Sequence, residues 1–169
     1  MQKFDRYKLP LVKDFMTTKV ITLTPEQGLE EVITLFNQHR LSAAPVVESE
    51  GSRTILGFVT EDDCLRELAS ITFFENVQVP TVGAAMTRGI QGLSPELDVF
   101  QAEMFFRQQG LRHAPVIDQE QRLLGIVARR DLMRALEDMM REAGMLVHKR
   151  LSPPRFSMMN EAEWRISTH

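Results

Sequence analysis

Residues Val12–Glu48 read VKDFMTTKVITLTPEQGLEEVITLFNQHRLSAAPVVE, and the chain repeats this stretch as Val82–Asp118, VGAAMTRGIQGLSPELDVFQAEMFFRQQGLRHAPVID. Four landmark residues recur 70 positions apart, at Met16, Pro25, Phe36 and Pro45 and at Met86, Pro95, Phe106 and Pro115. A duplicated unit usually buries one face against its copy. The functional surface is therefore expected where the two copies meet.

Each copy is predicted to fold in the order β-α-β-β-α. A short strand at Val20–Leu23 leads into Thr24 and Pro25, which are typical of a helix N-cap and a first helical position. Gln27 would complete a capping box with Thr24. An amphipathic helix follows, then a buried strand that begins at Pro45, and a last strand that pairs with it as a hairpin. The remaining predicted bounds are Ile90–Leu93 for the first strand of the second copy, Ile55–Val59 and Leu123–Val127 for the last strands, and Glu61 and Arg129 for the starts of the second helices.

Composition excludes several classes of protein. The 169 residues carry a net charge of −3, so no basic field favours a nucleic-acid partner. No apolar run approaches the roughly 20 residues that span a bilayer, and no direct membrane insertion is predicted. The lone Cys64 cannot form an intramolecular disulfide, and the charged N-terminus is unlike a signal peptide. A cytoplasmic location is expected.

The motifs together resemble a tandem pair of CBS domains, named after cystathionine β-synthase. The resemblance rests on Met-Thr before the first strand, the Thr/Ser-Pro-Glu helix start, the Ala-Pro-Val strand and a Gly-h-Val-x-x-x-Asp ending, where h is apolar, all in duplicate. It implies an α+β fold in which two β-α-β-β-α repeats pack as one pseudo-two-fold module with two clefts. The chain is divided accordingly into an N-terminal segment (1–10), a first repeat (11–70), a linker (71–81), a second repeat (82–140) and a C-terminal tail (141–169).

Thr60 and Asp63 form the best candidate site that the residues alone provide. They stand where a strand gives way to a helix, where free backbone N–H groups favour a phosphate. The Asp63 carboxylate can accept two hydrogen bonds from a ribose diol, and Gly57 leaves room for a flat group. The sequence TEDD is equally a capping box in which Thr60 and Asp63 satisfy each other's amides. In the second copy Asp131 is retained although Ala128 lacks the hydroxyl, which favours a ligand role.

The resemblance extends this site residue by residue. It implies that Asp63 holds the ribose of an adenosine-containing ligand and that Thr60 contacts its ribose or phosphate. It also implies an adenine slot, formed by Val20, Ile21, Thr22, Ala44, Pro45 and Val46. Basic residues before the Ala-Pro strand reach the phosphates of the neighbouring cleft in some family members, which makes Arg112 and His113 candidate phosphate contacts. The alternatives are a surface ion pair for Arg112 and a strand cap for His113.

The two clefts are not expected to be equal. The second copy replaces Ile21-Thr22 by Gln91-Gly92 and Thr60 by Ala128. The cleft at Asp131 therefore loses apolar surface and a hydroxyl, unless the two arginines before it adapt it to an anion. One competent site is predicted, in the first copy, and the occupancy of the second cleft is left open.

No catalytic or metal-binding motif is found. The sequence offers no nucleophile with a base and no phosphate-binding glycine loop. Cys64 has Leu132 as its counterpart, which indicates a core residue. His39, His148 and His169 lack partners at metal-ligand spacing. No enzymatic activity, cofactor or metal is predicted.

The predicted function is a regulatory, ligand-sensing module. AMP, ADP or ATP is the expected ligand, and S-adenosylmethionine and cyclic dinucleotides stay open. The ligand would favour one relative orientation of the two copies, and an unknown protein partner would be regulated in trans, since no catalytic or transport domain is fused in this sequence. The resemblance implies a homodimer. The alternative is a structural interaction module whose clefts have lapsed and which binds a partner constitutively.

Overall fold

The computed structural model describes residues 8–74 and 80–144. Its helices are Val12–Phe15 (α1), Leu29–His39 (α2), Glu61–Phe74 (α3), Val82–Ala85 (α4), Val99–Gln109 (α5) and Arg129–Glu142 (α6). Its strands are Ala43–Val47 (β1), Ile55–Thr60 (β2), Thr87–Arg88 (β3), His113–Ile117 (β4) and Leu123–Ala128 (β5). None of these helices is long and apolar enough to cross a membrane. His148, His169 and most of the predicted tail lie outside the described residues.

The two hairpins predicted from the sequence are confirmed. β1 pairs antiparallel with β2, and β4 pairs with β5 in the equivalent register. Each buried strand begins two residues before its proline, not at the proline as predicted. Pro45 is tolerated inside β1 because its backbone polar groups lie on the edge of the strand that faces away from β2. On that edge its carbonyl accepts from the Leu23 N–H at 2.9 Å. The missing N–H of the proline falls on that same edge, so the ladder with β2 stays intact.

The short strands predicted at Val20–Leu23 and Ile90–Leu93 are not formed. Each stretch contributes only one parallel bridge, at Leu23 and at Leu93, to the buried strand of its own copy. The residues just before each stretch are paired with the sheet of the other copy. The chain therefore passes from one copy to the other within each of these stretches. Neither stretch has a strand beside it along its whole length.

The first long helix of each copy begins later than predicted. Thr24 and Pro25 form a turn before α2, and the Gln27 side chain accepts from the Thr24 N–H at 2.8 Å within that turn. The Pro25 carbonyl is used by the other copy, because it accepts from the Gly83 N–H at 2.9 Å. The second copy shifts in the same way, with Asp98 as the N-cap of α5.

The two copies exchange their leading segments. β3, from the second copy, pairs with β2 of the first, and Thr17 of the first copy bridges Ile126 in β5 of the second. The helices before these contacts follow the same exchange. Val12 of α1 is buried in the second core and Val82 of α4 in the first. Each core thus contains residues from both copies, and the two copies form one module.

Gly57 and Gly125 permit the exchanged segments to lie close to the sheets. A β-carbon at Gly57 would stand 2.6 Å from the carbonyl oxygen of Thr87, and one at Gly125 would stand 2.7 Å from that of Thr17. Both obstacles are backbone atoms of the other copy, so only glycine fits. The expectation that Gly57 leaves room for a flat ligand is therefore wrong, since the other copy fills that room.

Candidate functional site

A cavity of about 430 Å³ opens between the copies where β2 passes into α3. Its size lies within the range of about 300–1,000 Å³ that is usual for small-molecule sites. The first copy supplies the end of β2 and the first turn of α3, and the second copy supplies residues around β3 and those leading into β4. The lining residues are Ser42, Phe58, Thr60, Glu61, Asp62, Asp63, Thr87, Ile90, Gly110, Leu111, Arg112 and His113.

Four predicted site residues come together on this wall, namely Thr60, Asp63, Arg112 and His113. The other predicted positions are not among its lining residues; they are Val20, Ile21, Thr22, Ala44, Pro45, Val46 and Asp131. Ala44 and Val46 are buried in the first core. Ile90, the counterpart of Val20, stands on the wall instead, because the leading segments are exchanged.

Asp63 is buried, with 5% of its surface exposed, and its carboxylate is engaged within the protein. Oδ2 accepts from the Thr60 N–H at 2.9 Å and from the Thr60 hydroxyl at 2.6 Å. Oδ1 accepts from the guanidinium of Arg66, whose side chain is 63% exposed. The capping alternative is therefore present in the structure. A ribose diol at Oδ1 would compete with Arg66, whose exposed guanidinium can move into solvent.

Asp131 makes the same helix cap without a hydroxyl partner. Its Oδ2 accepts from the Ala128 N–H at 2.8 Å, and the Arg134 guanidinium lies 3.8 Å from Oδ1. Capping alone explains why an acid is retained at this position. The pairing of Asp131 with Ala128 therefore gives no support to a ligand role, and the case for Asp63 rests on the cavity beside it.

Three amides at the start of α3, those of Thr60, Glu61 and Asp63, are bonded within the protein. The Glu61 N–H donates to the Ser42 carbonyl at 3.1 Å. The Asp63 N–H donates to Thr60 Oγ1 at 3.3 Å, while the Thr60 N–H is held by Asp63. The expectation that these groups are free to receive a phosphate is therefore wrong.

Arg112 and His113 reach the cavity from the second copy. Within the part of the chain that the structure describes, the Arg112 guanidinium forms no ion pair, so the surface ion pair considered for it is not made. His113 Nε2 lies 3.1 Å from Ser42 Oγ, a hydrogen bond that joins the two copies. Burial lowers the pKa of His113, against the attraction of Asp131 and Glu61. The ring is therefore neutral at pH 7.

The replacement of Thr22 by Gly92 in the second copy is explained by side-chain packing. A β-carbon at Gly92 would lie 2.6 Å from Cδ1 and Cγ1 of Ile117. The first copy has Thr22 and the smaller Val47 at the equivalent positions. In the second copy the larger side chain, Ile117, lies on β4 and leaves little room for a β-carbon at position 92. The predicted loss of apolar surface where Gln91-Gly92 replaces Ile21-Thr22 stays a prediction.

Other candidate chemistry is not assembled in the described residues. Cys64 is buried in the first core, as predicted, and burial raises the pKa of its thiol. No three His, Cys, Asp or Glu side chains within residues 8–74 and 80–144 are grouped so as to hold a metal ion. Glu61 and Asp62 also line the wall and were not predicted from the sequence. The available signal was their replacement by two arginines in the second copy.

The family model of the CBS domain matches residues 12–70 and 82–138. The CBS domain-containing protein YhcV of Bacillus subtilis is 35% identical over 122 residues, which cover 72% of this chain and 81% of that protein. An uncharacterized 17.7 kDa protein of Acidianus ambivalens is 30% identical over 127 residues, or 75% of this chain and 73% of that protein. Inosine-5′-monophosphate dehydrogenase of Streptococcus pyogenes is 24% identical, but the match spans only 22% of the enzyme.

Solved structures share the fold. CBSX2 in complex with AMP superposes with a TM-score of 0.67 at 22% identity, covering 76% of this chain and 96% of that one. The CBS domain pair of MJ0100, in complex with 5′-methylthioadenosine and S-adenosyl-L-methionine, gives a TM-score of 0.67 at 23% identity, covering 78% of this chain and 98% of that one. The predicted α+β fold of two repeats in one module is confirmed by these matches.

Proposed function

The chain belongs to the CBS-domain family, and we propose that the cavity beside Thr60 and Asp63 binds an adenosine-containing ligand to regulate a protein partner in trans. The observation that carries the proposal is a cavity of about 430 Å³ whose wall comes from both copies. A ligand there touches both copies and stabilises one relative arrangement of them. CBSX2 with AMP and MJ0100 with two adenosine derivatives support the class of ligand.

Each polar wall residue has an assigned role in this proposal. Asp63 receives the ribose hydroxyls after Arg66 swings away, and Thr60 keeps the Asp63 carboxylate oriented through its 2.6 Å hydrogen bond. Phe58 and Ile90 provide apolar surface for the adenine ring, taking the place of the slot expected from the first copy alone. Arg112, an exposed cation that the second copy contributes to the cavity wall, faces the end of the ligand beyond the ribose.

A thermal-shift panel tests the proposal. Adenosine, 5′-methylthioadenosine, S-adenosylmethionine, AMP and ATP are added in turn, and a ligand at about 100 times its Kd should add about 2.7 kcal/mol of stability. For a domain of this size the gain appears as a rise of several degrees in Tm. No shift from any member of the panel would refute the proposal.

A matched pair of variants separates ligand contact from helix capping. Asp63→Ala and Asp131→Ala remove the same cap, in the first and second copy respectively. We expect Asp63→Ala to abolish the ligand-dependent shift and Asp131→Ala to retain it. Equal loss in both variants would mean that capping, and not ligand contact, is what Asp63 provides.

The second candidate function is a constitutive interaction module with lapsed clefts. One observation favours it, because every oxygen of Asp63 already has a partner within the protein. On either function we propose no catalytic activity for this chain, since the similarity to inosine-5′-monophosphate dehydrogenase spans 22% of that enzyme. The homodimer and the cytoplasmic location stay predictions.

A further inference from the structure

The charges on the cavity wall are unbalanced. Among the described lining residues the titratable ones are Glu61, Asp62, Asp63, Arg112 and His113. In the ligand-free chain Arg66 neutralises Asp63, and burial lowers the pKa of His113, which favours its uncharged ring. Glu61 and Asp62 are exposed and form no ion pair with another described residue. Two negative charges therefore face the single positive charge of Arg112.

The second copy shows that helix stability does not dictate this charge. Acids at a helix start are favourable because they face the positive end of the helix dipole, and arginines there are unfavourable. Arg129 and Arg130 nevertheless occupy the positions equivalent to Glu61 and Asp62, at the start of α6. The fold thus accepts side chains of either charge in the first turn of this helix. The acidic pair in the first copy is free to serve the cavity that it lines.

A phosphate would find little support in this cavity. The amides of Thr60, Glu61 and Asp63 are already bonded within the protein. A dianionic phosphate would therefore meet Arg112 and two repelling carboxylates. A neutral adenosine derivative meets no such repulsion, and a cationic one is attracted.

We propose that this cavity selects adenosine derivatives by charge, and that it binds phosphate-free members, neutral or cationic, more tightly than AMP or ATP. The inference rests on the proposed function and narrows its ligand from the adenine nucleotides to this class. S-Adenosylmethionine, with a sulfonium and an ammonium group beside one carboxylate, matches a wall that combines two acids with one arginine.

Calorimetric titration of the full chain tests the selection. The probes are 5′-methylthioadenosine (neutral), S-adenosylmethionine (cationic) and AMP (dianionic), at pH 7.5 and low salt. We expect AMP to bind at least about tenfold more weakly than 5′-methylthioadenosine, and the gap to narrow as salt screens the exposed carboxylates. AMP affinity equal to or above that of 5′-methylthioadenosine overturns the inference while the proposed function stands. Failure of these three probes, and of adenosine and ATP, to bind overturns both, whereas binding of ATP alone overturns the inference only.

Charge reversal provides the second arm. Glu61→Arg with Asp62→Arg installs the residues that the second copy already carries at a helix start. We expect this variant to bind AMP about tenfold more tightly and S-adenosylmethionine more weakly, with 5′-methylthioadenosine changed less than about twofold. The milder Glu61→Gln with Asp62→Asn should move AMP in the same direction if the first variant folds poorly.

Arg129→Glu with Arg130→Glu is the matched control, because it makes the opposite exchange at two residues that do not line the cavity, although the Arg129 N–H donates to the carbonyl of the wall residue Arg112 at 3.0 Å. It should leave the order of the three affinities unchanged. If reversing Glu61 and Asp62 alters 5′-methylthioadenosine as much as AMP, the carboxylates do not act by charge and the inference fails.

Discussion

Thr60 and Asp63 show how one pair of residues can serve both helix and cavity. The hydroxyl donates to the carboxylate at 2.6 Å and accepts from the Asp63 amide at 3.3 Å, so the cap is closed in both directions. Asp131 lacks half of this arrangement because its partner is Ala128. The carboxylate of Asp63 or Asp131 is therefore the part of the helix cap that both copies share, whereas the hydroxyl is present only in the first.

Removal of the Thr60 hydroxyl should weaken the first copy modestly. We expect Thr60→Ala to lower the free energy of unfolding by about 1 kcal/mol, since two hydrogen bonds to a partly buried group are lost while the Asp63 cap of the backbone remains. Urea denaturation of the ligand-free chain measures the loss. Thr60→Ser keeps the hydroxyl and should retain most of the stability, so equal losses in the two variants would contradict this account.

His113 should make stability depend on pH. Burial lowers its pKa, so the unfolded chain takes up the proton at a higher pH than the folded one does. The contribution of the neutral ring is complete above the unfolded pKa of about 6.5 and is lost as the pH falls below it. We expect the free energy of unfolding to fall between pH 7 and 5.5, and His113→Gln to reduce that fall.

Urea denaturation at a series of pH values measures this dependence for the wild-type chain and for His113→Gln. If His113→Gln keeps the full dependence, another group is responsible for it.

At the scale of elements, the sequence predicts what depends on local contacts. Both hairpins and the helix starts at Glu61 and Arg129 follow from short-range patterns, and the structure confirms them. The strand at Val20–Leu23 and the helix start at Thr24 were predicted wrongly for one reason. Both depend on hydrogen bonds to the other copy, such as that from Gly83 to the Pro25 carbonyl, which no local pattern reveals.

The exchanged segments should be sensitive to the glycines beneath them. In Gly57→Ala the new methyl group meets the Thr87 carbonyl at 2.6 Å, and a backbone atom cannot move aside as a flexible side chain does. We expect a loss of about 1–3 kcal/mol in unfolding free energy, measured by chemical denaturation. Gly125→Ala, which meets the Thr17 carbonyl at 2.7 Å, should cost a similar amount. Wild-type stability in either variant would show that β3 or Thr17 does not lie where the structure places it.

At the scale of the molecule, the repeat predicts one module but not the composition of its cavity. Thr60, Asp63, Arg112 and His113 come together because the motif places them at the junction of the copies. The predicted adenine slot included Val20, whereas its counterpart Ile90 lines the cavity beside Asp63. Duplicated sequences are ambiguous in this way, since a residue and its counterpart fit the same pattern and only the tertiary structure decides between them.

Exposed apolar side chains on α3 and α6 indicate how two molecules associate. Leu65 on α3 is 64% exposed and Met133 on α6 is 68% exposed, and they occupy equivalent positions in the two copies. We expect a homodimer that buries both side chains, and we expect Leu65→Glu with Met133→Glu to shift it to monomer, as measured by light scattering. Met104→Glu on α5, where the side chain is 44% exposed, is the control and should stay dimeric. A monomeric wild-type chain would contradict the prediction.

The exchange of leading segments also bears on how such a chain arose. A single repeat, produced alone, would carry a segment for which it has no place and would lack the one that fills its own core. Two molecules of that repeat would complete each other by reciprocal swapping. The present chain corresponds to such a swapped pair joined in one polypeptide. Gene fusion would thus have replaced the association of two molecules by contacts within one molecule. Fusion would also have allowed the two halves to diverge, which an assembly of identical molecules cannot do.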